Sequence, residues 1–147
     1  MKLLLASDLH IGRSSSRVPD SIDANEVRAA RAWRRLVALA IDERVGVVCL
    51  AGDIADQDNK FWESIGPLEE GIRQLGDADI ETVAVAGNHD HDVLVRLANQ
   101  LPQERFRLLG QGGKWERHTI KRDGRPVLHI DGWSFPTKLV DQDPVHD

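Results

Sequence analysis

Asp8 and His10, Asp53 and Asp56, and the run Asn88-His89-Asp90 are the residues of this chain best equipped for chemistry. Carboxylates, imidazoles and an amide oxygen, with no thiolate among them, suit hard or borderline divalent ions such as Mn²⁺, Fe²⁺ or Zn²⁺. Each group follows an apolar run: "KLLLA" precedes Asp8-Leu9-His10, "VGVVCLAG" precedes Asp53-Ile54-Ala55-Asp56, and "TVAVAG" precedes Asn88-His89-Asp90. If the first run is a strand, alternation delivers Asp8 and His10 to the same side, where both reach one ion. Asp53 has two oxygens with which to bridge two ions, and Asn88 offers a neutral carbonyl oxygen to the second. Two ions ~3.5–4 Å apart activate a water and offset charge on a phosphoryl group during in-line attack. His89 would face the substrate, stabilising the transition state or protonating the leaving oxygen, with Asp90 or Asp56 orienting it. Taken singly these signals are ordinary, since Asp-x-His and Gly-Asp-x-x-Asp also describe surface turns and helix caps. Three of them, each just past a strand end, point to a metal site.

The elements that must position these residues are legible as hydrophobic periodicity. Lys2 to Ala6 reads as a buried first strand, and a loop from Gly12 to Asp20 follows. Val27, Ala30, Trp33, Val37 and Ile41 recur at helical spacing, predicting an amphipathic helix from Ser21 to about Arg44 with acidic Asp23 and Glu26 near its start. The valine-rich run 45–52 predicts a strand covered on both faces. Phe61, Ile65, Leu68, Ile72 and Leu75 predict a second helix that Gly66-Pro67 either kinks or begins. A third strand (82–87), a short helix (Val93–Leu101) and a short strand (Arg105–Leu109) come next. "HTIKRDGRPVLHIDGWSF" carries Asp-Gly between two alternating segments, the signature of a hairpin. The alternation of strand and helix predicts an α/β layered sheet, parallel in its first part. Right-handed crossovers then bring the first three strands' carboxyl ends to one edge, where open α/β sheets bind ligands.

The 147 residues amount to one domain, 1–147, and 41% hydrophobic with 29% charged residues argues against disorder. A formal charge of -5 gives no global attraction to nucleic acid or anionic membrane, so contact with a polyanion would have to be local. Cys49 is the only cysteine, which excludes an intramolecular disulfide and a thiolate zinc cluster and leaves a buried structural thiol. The apolar part of the N-terminus, Leu3 to Ala6, is shorter than the ~7 residues of a signal core. No run approaches the ~18 apolar residues of a membrane span. The expectation is a cytoplasmic protein with no membrane partner.

"ASDLHIG", "LAGDIAD" and "VAGNHD" resemble the D-x-H, G-D-x-x-D and G-N-H-[DE] motifs of the calcineurin-like metallophosphoesterase superfamily. The A-D-L-H-L-G-like start, arginine-rich first helix and "HIDGWSF" strand also resemble the nuclease subunit of DNA double-strand-break repair complexes. The resemblance implies that Asp8, His10 and Asp53 hold a first ion, that Asp53 and Asn88 hold a second, and that His89 is catalytic with Asp90 behind it. Manganese is the ion it favours. It implies an α-β-β-α sandwich, of which this chain supplies roughly the first half, and a metal-dependent phosphodiesterase or DNA exonuclease. The superfamily's later lone histidine and G-H-x-H have no clear counterpart: no G-H-x-H occurs here, and the histidines left are His91, His118, His129 and His146. His91 is read as facing solvent, His118 and His129 as cross-strand or surface residues, and His146 as a ligand only if the tail folds back. The expectation is a fragment of a longer protein, or a short form whose site another chain completes, with a homodimer common in the resembled group.

Arg13 and Arg17, in the loop after His10, are candidates for contact with substrate phosphate. Arg28, Arg31, Arg34 and Arg35 read as the solvated face of the first helix. Trp33 and Trp133 read as core rather than as platforms for bases. A non-catalytic metal- or partner-binding module is the alternative to the enzyme. A Rossmann-like nucleotide binder is disfavoured, for no G-x-G-x-x-G or phosphate loop follows any strand.

Overall fold

The valine- and leucine-rich runs form four short parallel strands, β1 (Leu3–Ala6), β2 (Val47–Ala51), β3 (Glu81–Val85) and β4 (Phe106–Leu108), side by side in chain order. The connecting helices are α1 (Ala29–Asp42), α2 (Phe61–Asp77) and α3 (Val93–Gln100). The structure is a computed structural model that describes residues 1–13, 28–56, 61–141 and 143–145, with 61–64 by backbone alone.

Strand alternation sorts side chains between two faces. Leu4, Val48, Leu50, Ala84, Phe106 and Leu108 meet Trp33, Val37, Leu68, Ile72, Leu75, Leu94 and Leu97 from the helices in the main core. The helices share one face because the sheet grows in one direction and right-handed crossovers then all fall on the same side. On the opposite face Val47, Val83 and Leu109 meet Ile120, Leu128 and Ile130 from a hairpin of β5 (Glu116–Arg122) and β6 (Arg125–Gly132). The hairpin turns at Asp123-Gly124, both with positive φ (52° and 74°), the signature of the tight turn that matches strand twist. The predicted α/β architecture therefore holds, with helices, parallel sheet and hairpin as successive layers.

Three expectations need correction. β1 is an edge strand, not a buried one: Leu3 is 41% and Leu5 73% exposed, because the hairpin covers β2 and β3 but stops short of β1. Cys49 is half-buried; partial desolvation, aided by the charge of Glu81, pushes its thiol above the ordinary range. α2 does not begin at Gly66-Pro67; Pro67 lies inside it at the cost of one helical N–H. The carbonyl of Pro67 accepts a hydrogen bond from Trp33 Nε1 at 2.9 Å, tying α2 to α1. The predicted start of α1 and Arg17 fall in 14–27, outside the described residues. Within the described helix Trp33, Val37 and Ala40 are buried; Arg34, Arg35 and the N-cap Arg28 are exposed as expected, whereas Arg31 is half-buried.

Candidate metal centre

Beyond their last sheet pairs, the chains leaving β1 and β2 stay side by side. Asp8 N–H donates to Gly52 O, His10 N–H to Asp53 O and Ile11 N–H to Ile54 O, at 3.1, 3.0 and 2.8 Å. The Asp56 N–H returns to Ile11 O at 3.0 Å, and Ile11 pairs in parallel with Ala55. A rigid double loop thus carries motif one against motif two. Gly52 N–H donates to Val85 O at 3.1 Å, which brings in the end of β3.

Asp8, His10 and Asp53 all adopt left-handed backbone, with φ of 55°, 46° and 51°. Such conformations are unfavourable for residues with a Cβ and cluster where function over-determines them. They also revise how the side chains meet. Asp8 and His10 are not brought together by strand alternation, since neither is extended; the left-handed turns aim both at Asp53. The ligand-capable atoms of the three lie within 4.8 Å of one another.

The donor set fits a divalent ion. His10 Nδ1 is buried and has no hydrogen-bond partner among the described residues, an orphaned nitrogen whose lone pair can serve as a ligand. Asp53 Oδ1 is held by the His89 N–H at 3.0 Å, which fixes the carboxylate and leaves lone pairs on both oxygens. Gly87 is required beside it, because a Cβ there would overlap Asp53 Oδ1. Asn88 lines the same small cavity as Asp8 and Asp53. The His89 ring stands edge-on to that of His10, with centroids 5.3 Å apart, so the candidate catalytic histidine faces the candidate ligands.

Asp90 takes a different place from the one expected behind His89. It is fully buried, and its carboxylate accepts N–H bonds from Ile54 (2.6 Å), Ala55 (3.3 Å) and Gly87 (2.7 Å). One side chain therefore ties motif two to motif three, and its partners are main-chain amides. Burial pushes its carboxyl above the ordinary range and the Asp53 charge adds to this, while the three amides pull the other way. Asp56 is buried on the same double loop.

The other histidines sort by packing. His91 is half-buried, with Nδ1 3.4 Å from Asn88 O, rather than facing open solvent. His129 pairs across the hairpin with Thr119 at 2.9 Å, as expected. His118 joins the hairpin to β3 through Glu81 at 2.6 Å. His146 lies outside the described residues, and Arg13 is exposed one turn beyond His10.

Trp133 corrects the sequence reading. It is half-buried, and with Phe135 it lines a cavity of about 200 Å³ beside Asp8, Asp53 and Asn88. The available signal was positional: "GWSF" follows a strand as the metal-capable runs do, with aromatics two apart on one side.

The calcineurin-like phosphoesterase family model matches residues 1–145. The uncharacterized metallophosphoesterase YhaO of Bacillus subtilis is 26% identical over 139 residues, covering 92% of this chain and 34% of that protein. This chain therefore spans about a third of that relative's length. A solved dimetal phosphatase from Danio rerio is 23% identical, with a TM-score of 0.39 over 60% of this chain and 29% of that one.

Proposed function

The chain belongs to the calcineurin-like phosphoesterase family, and from that premise we propose that it hydrolyses a phosphate ester, as a phosphodiesterase or DNA exonuclease, at a dinuclear centre. The observation that carries this is the convergence of Asp8, His10 and Asp53, from two separate strand ends, to within 4.8 Å. Asp8, His10 and Asp53 would hold the first ion, and Asp53 with Asn88 the second. Manganese suits this oxygen-rich set with its imidazole, and iron or zinc are the next candidates. Bound there, the ions would supply a water nucleophile near neutral pH and offset phosphoryl charge.

The protein's own groups do the rest. Hydrolysis forms one P–O bond from water and breaks the bond to the leaving oxygen, which takes its proton from the His89 imidazole. Asp90 keeps motifs two and three in register, and Asp56 stiffens the loop that carries Asp53. Arg13 and Arg17 would bind flanking phosphates, the contact a DNA substrate requires. Residues 1–147 would form one domain of a cytoplasmic protein. Among the described residues no helix is long and apolar enough to cross a membrane.

Hydrolysis of bis(p-nitrophenyl) phosphate in Mn²⁺ tests this. Turnover lost both in Asp53→Ala and with a chelator is the expected result, with His89→Asn lowering kcat by about 10²–10⁴-fold. Turnover that survives Asp53→Ala would sink the proposal. A second reading, a binding module holding one ion, is favoured by the single three-ligand group among the described residues. It requires one bound ion and no turnover from folded protein.

A further inference from the structure

We infer that Trp133 and Phe135 form the wall that receives an aromatic ring on the organic side of the phosphate ester; this rests on the function proposed above. Aromatic residues that serve the core here are sealed: Trp33 is 0% and Phe106 1% exposed. Trp133 and Phe135 are instead half-buried, set edge to face with centroids 5.1 Å apart, and they line the same cavity as Asp8, Asp53 and Asn88. The lining of that cavity thus combines acidic and amide groups with two rings and Val85. A phosphate held by the polar groups would have its organic group within the same small space as the rings.

The segment carrying the rings is fixed to the metal loop. The buried Ser134 hydroxyl accepts the Ala86 N–H at 2.8 Å and donates to Leu109 O. Ser134 N–H donates to Gly110 O and Phe135 N–H to Ala86 O, both at 3.1 Å. Ala86 directly precedes Gly87-Asn88-His89, so the rings and the ligand loop share one anchor and the wall is in place before a ligand arrives. The volume of about 200 Å³ is below the ~300–1,000 Å³ of pockets for drug-sized ligands. It takes one flat group next to the phosphorus, such as an aryl ester or a single base, and leaves the rest of a larger substrate outside.

Phenylphosphonate and methylphosphonate separate the ring from the anion, since both carry the same phosphonate and neither is an ester. Binding of each to the Mn²⁺-loaded protein is measured calorimetrically for the wild type, Trp133→Ala and Trp133→Phe. Phenylphosphonate should bind about tenfold more tightly in the wild type, as base–aromatic stacking does. Trp133→Ala should bring that ratio to about one without changing methylphosphonate affinity, and Trp133→Phe should keep most of it. A wild-type ratio near one, a ratio kept in Trp133→Ala, or equal weakening of both ligands would each overturn the inference. Should Trp133→Ala not fold, Trp133→Leu retains bulk without a ring and is judged by the same criterion. Methylphosphonate that binds regardless of Mn²⁺, or not at all, would instead remove the metal-dependent phosphoester site and this inference with it.

Discussion

Asp90 shows how much of a metal site is second-hand positioning. Its carboxylate serves the amides of Ile54, Ala55 and Gly87, which belong to the loops carrying Asp53 and Asn88. Asp90→Asn keeps the shape but turns an amide N–H₂ toward a backbone donor, and leaving a buried donor unpaired costs about 1–3 kcal/mol. The urea midpoint should fall accordingly at constant m, and Mn²⁺ affinity should fall with it; an unchanged midpoint would show that the latch is dispensable. That Asp8, His10 and Asp53 come together was legible from side-chain chemistry placed after apolar runs. The role of Asp90 was not, because a carboxylate that binds backbone amides has the same one-letter code as one that binds imidazole. The left-handed backbone at Asp8, His10 and Asp53 was hidden for a similar reason, since none of the three is a glycine or asparagine.

Between α1 and α2 the contact depends on an absence. Gly71 faces the Trp33 indole, and a Cβ at that position would collide with its Nε1 edge, the edge that donates to Pro67 O. Helix propensity alone favours Gly→Ala in a helix interior by about 1 kcal/mol. Overpacking against a sealed indole costs about 1–3 kcal/mol, and it should win. Gly71→Ala is therefore expected to lower the thermal midpoint, while Gly66→Ala, with open space around it, should raise or preserve it. The opposite order would mean that the two helices do not meet at this point. Periodicity foretold α2 through Ile65, Leu68, Ile72 and Leu75, but it could not foretell that Pro67 stays inside the helix. Nor could it foretell the tie at that point to Trp33, more than thirty residues away, which donates to the Pro67 carbonyl. The hairpin was readable because its turn chemistry is local, set by Asp123-Gly124.

For the molecule as a whole, sequential parallel pairing puts three polar loops on one sheet edge and all three helices on one face. The other face is closed by the hairpin over β2 and β3 and open over β1, where Leu3 and Leu5 stand exposed. The apolar run 3–6 could not disclose this, because a strand flanked on one side and a strand flanked on both are written with the same leucines. Asp8, His10 and Asp53 converge at the sheet edge, and Mn²⁺ binding tests whether they form one site before any question of turnover arises. Titration of the metal-free chain with Mn²⁺, followed by electron paramagnetic resonance, should show saturable binding that falls by at least tenfold in Asp53→Asn and in His10→Ala. Those variants must stay folded by circular dichroism for the comparison to hold. Equal binding by wild type and both variants would show that Asp8, His10 and Asp53 do not form the site.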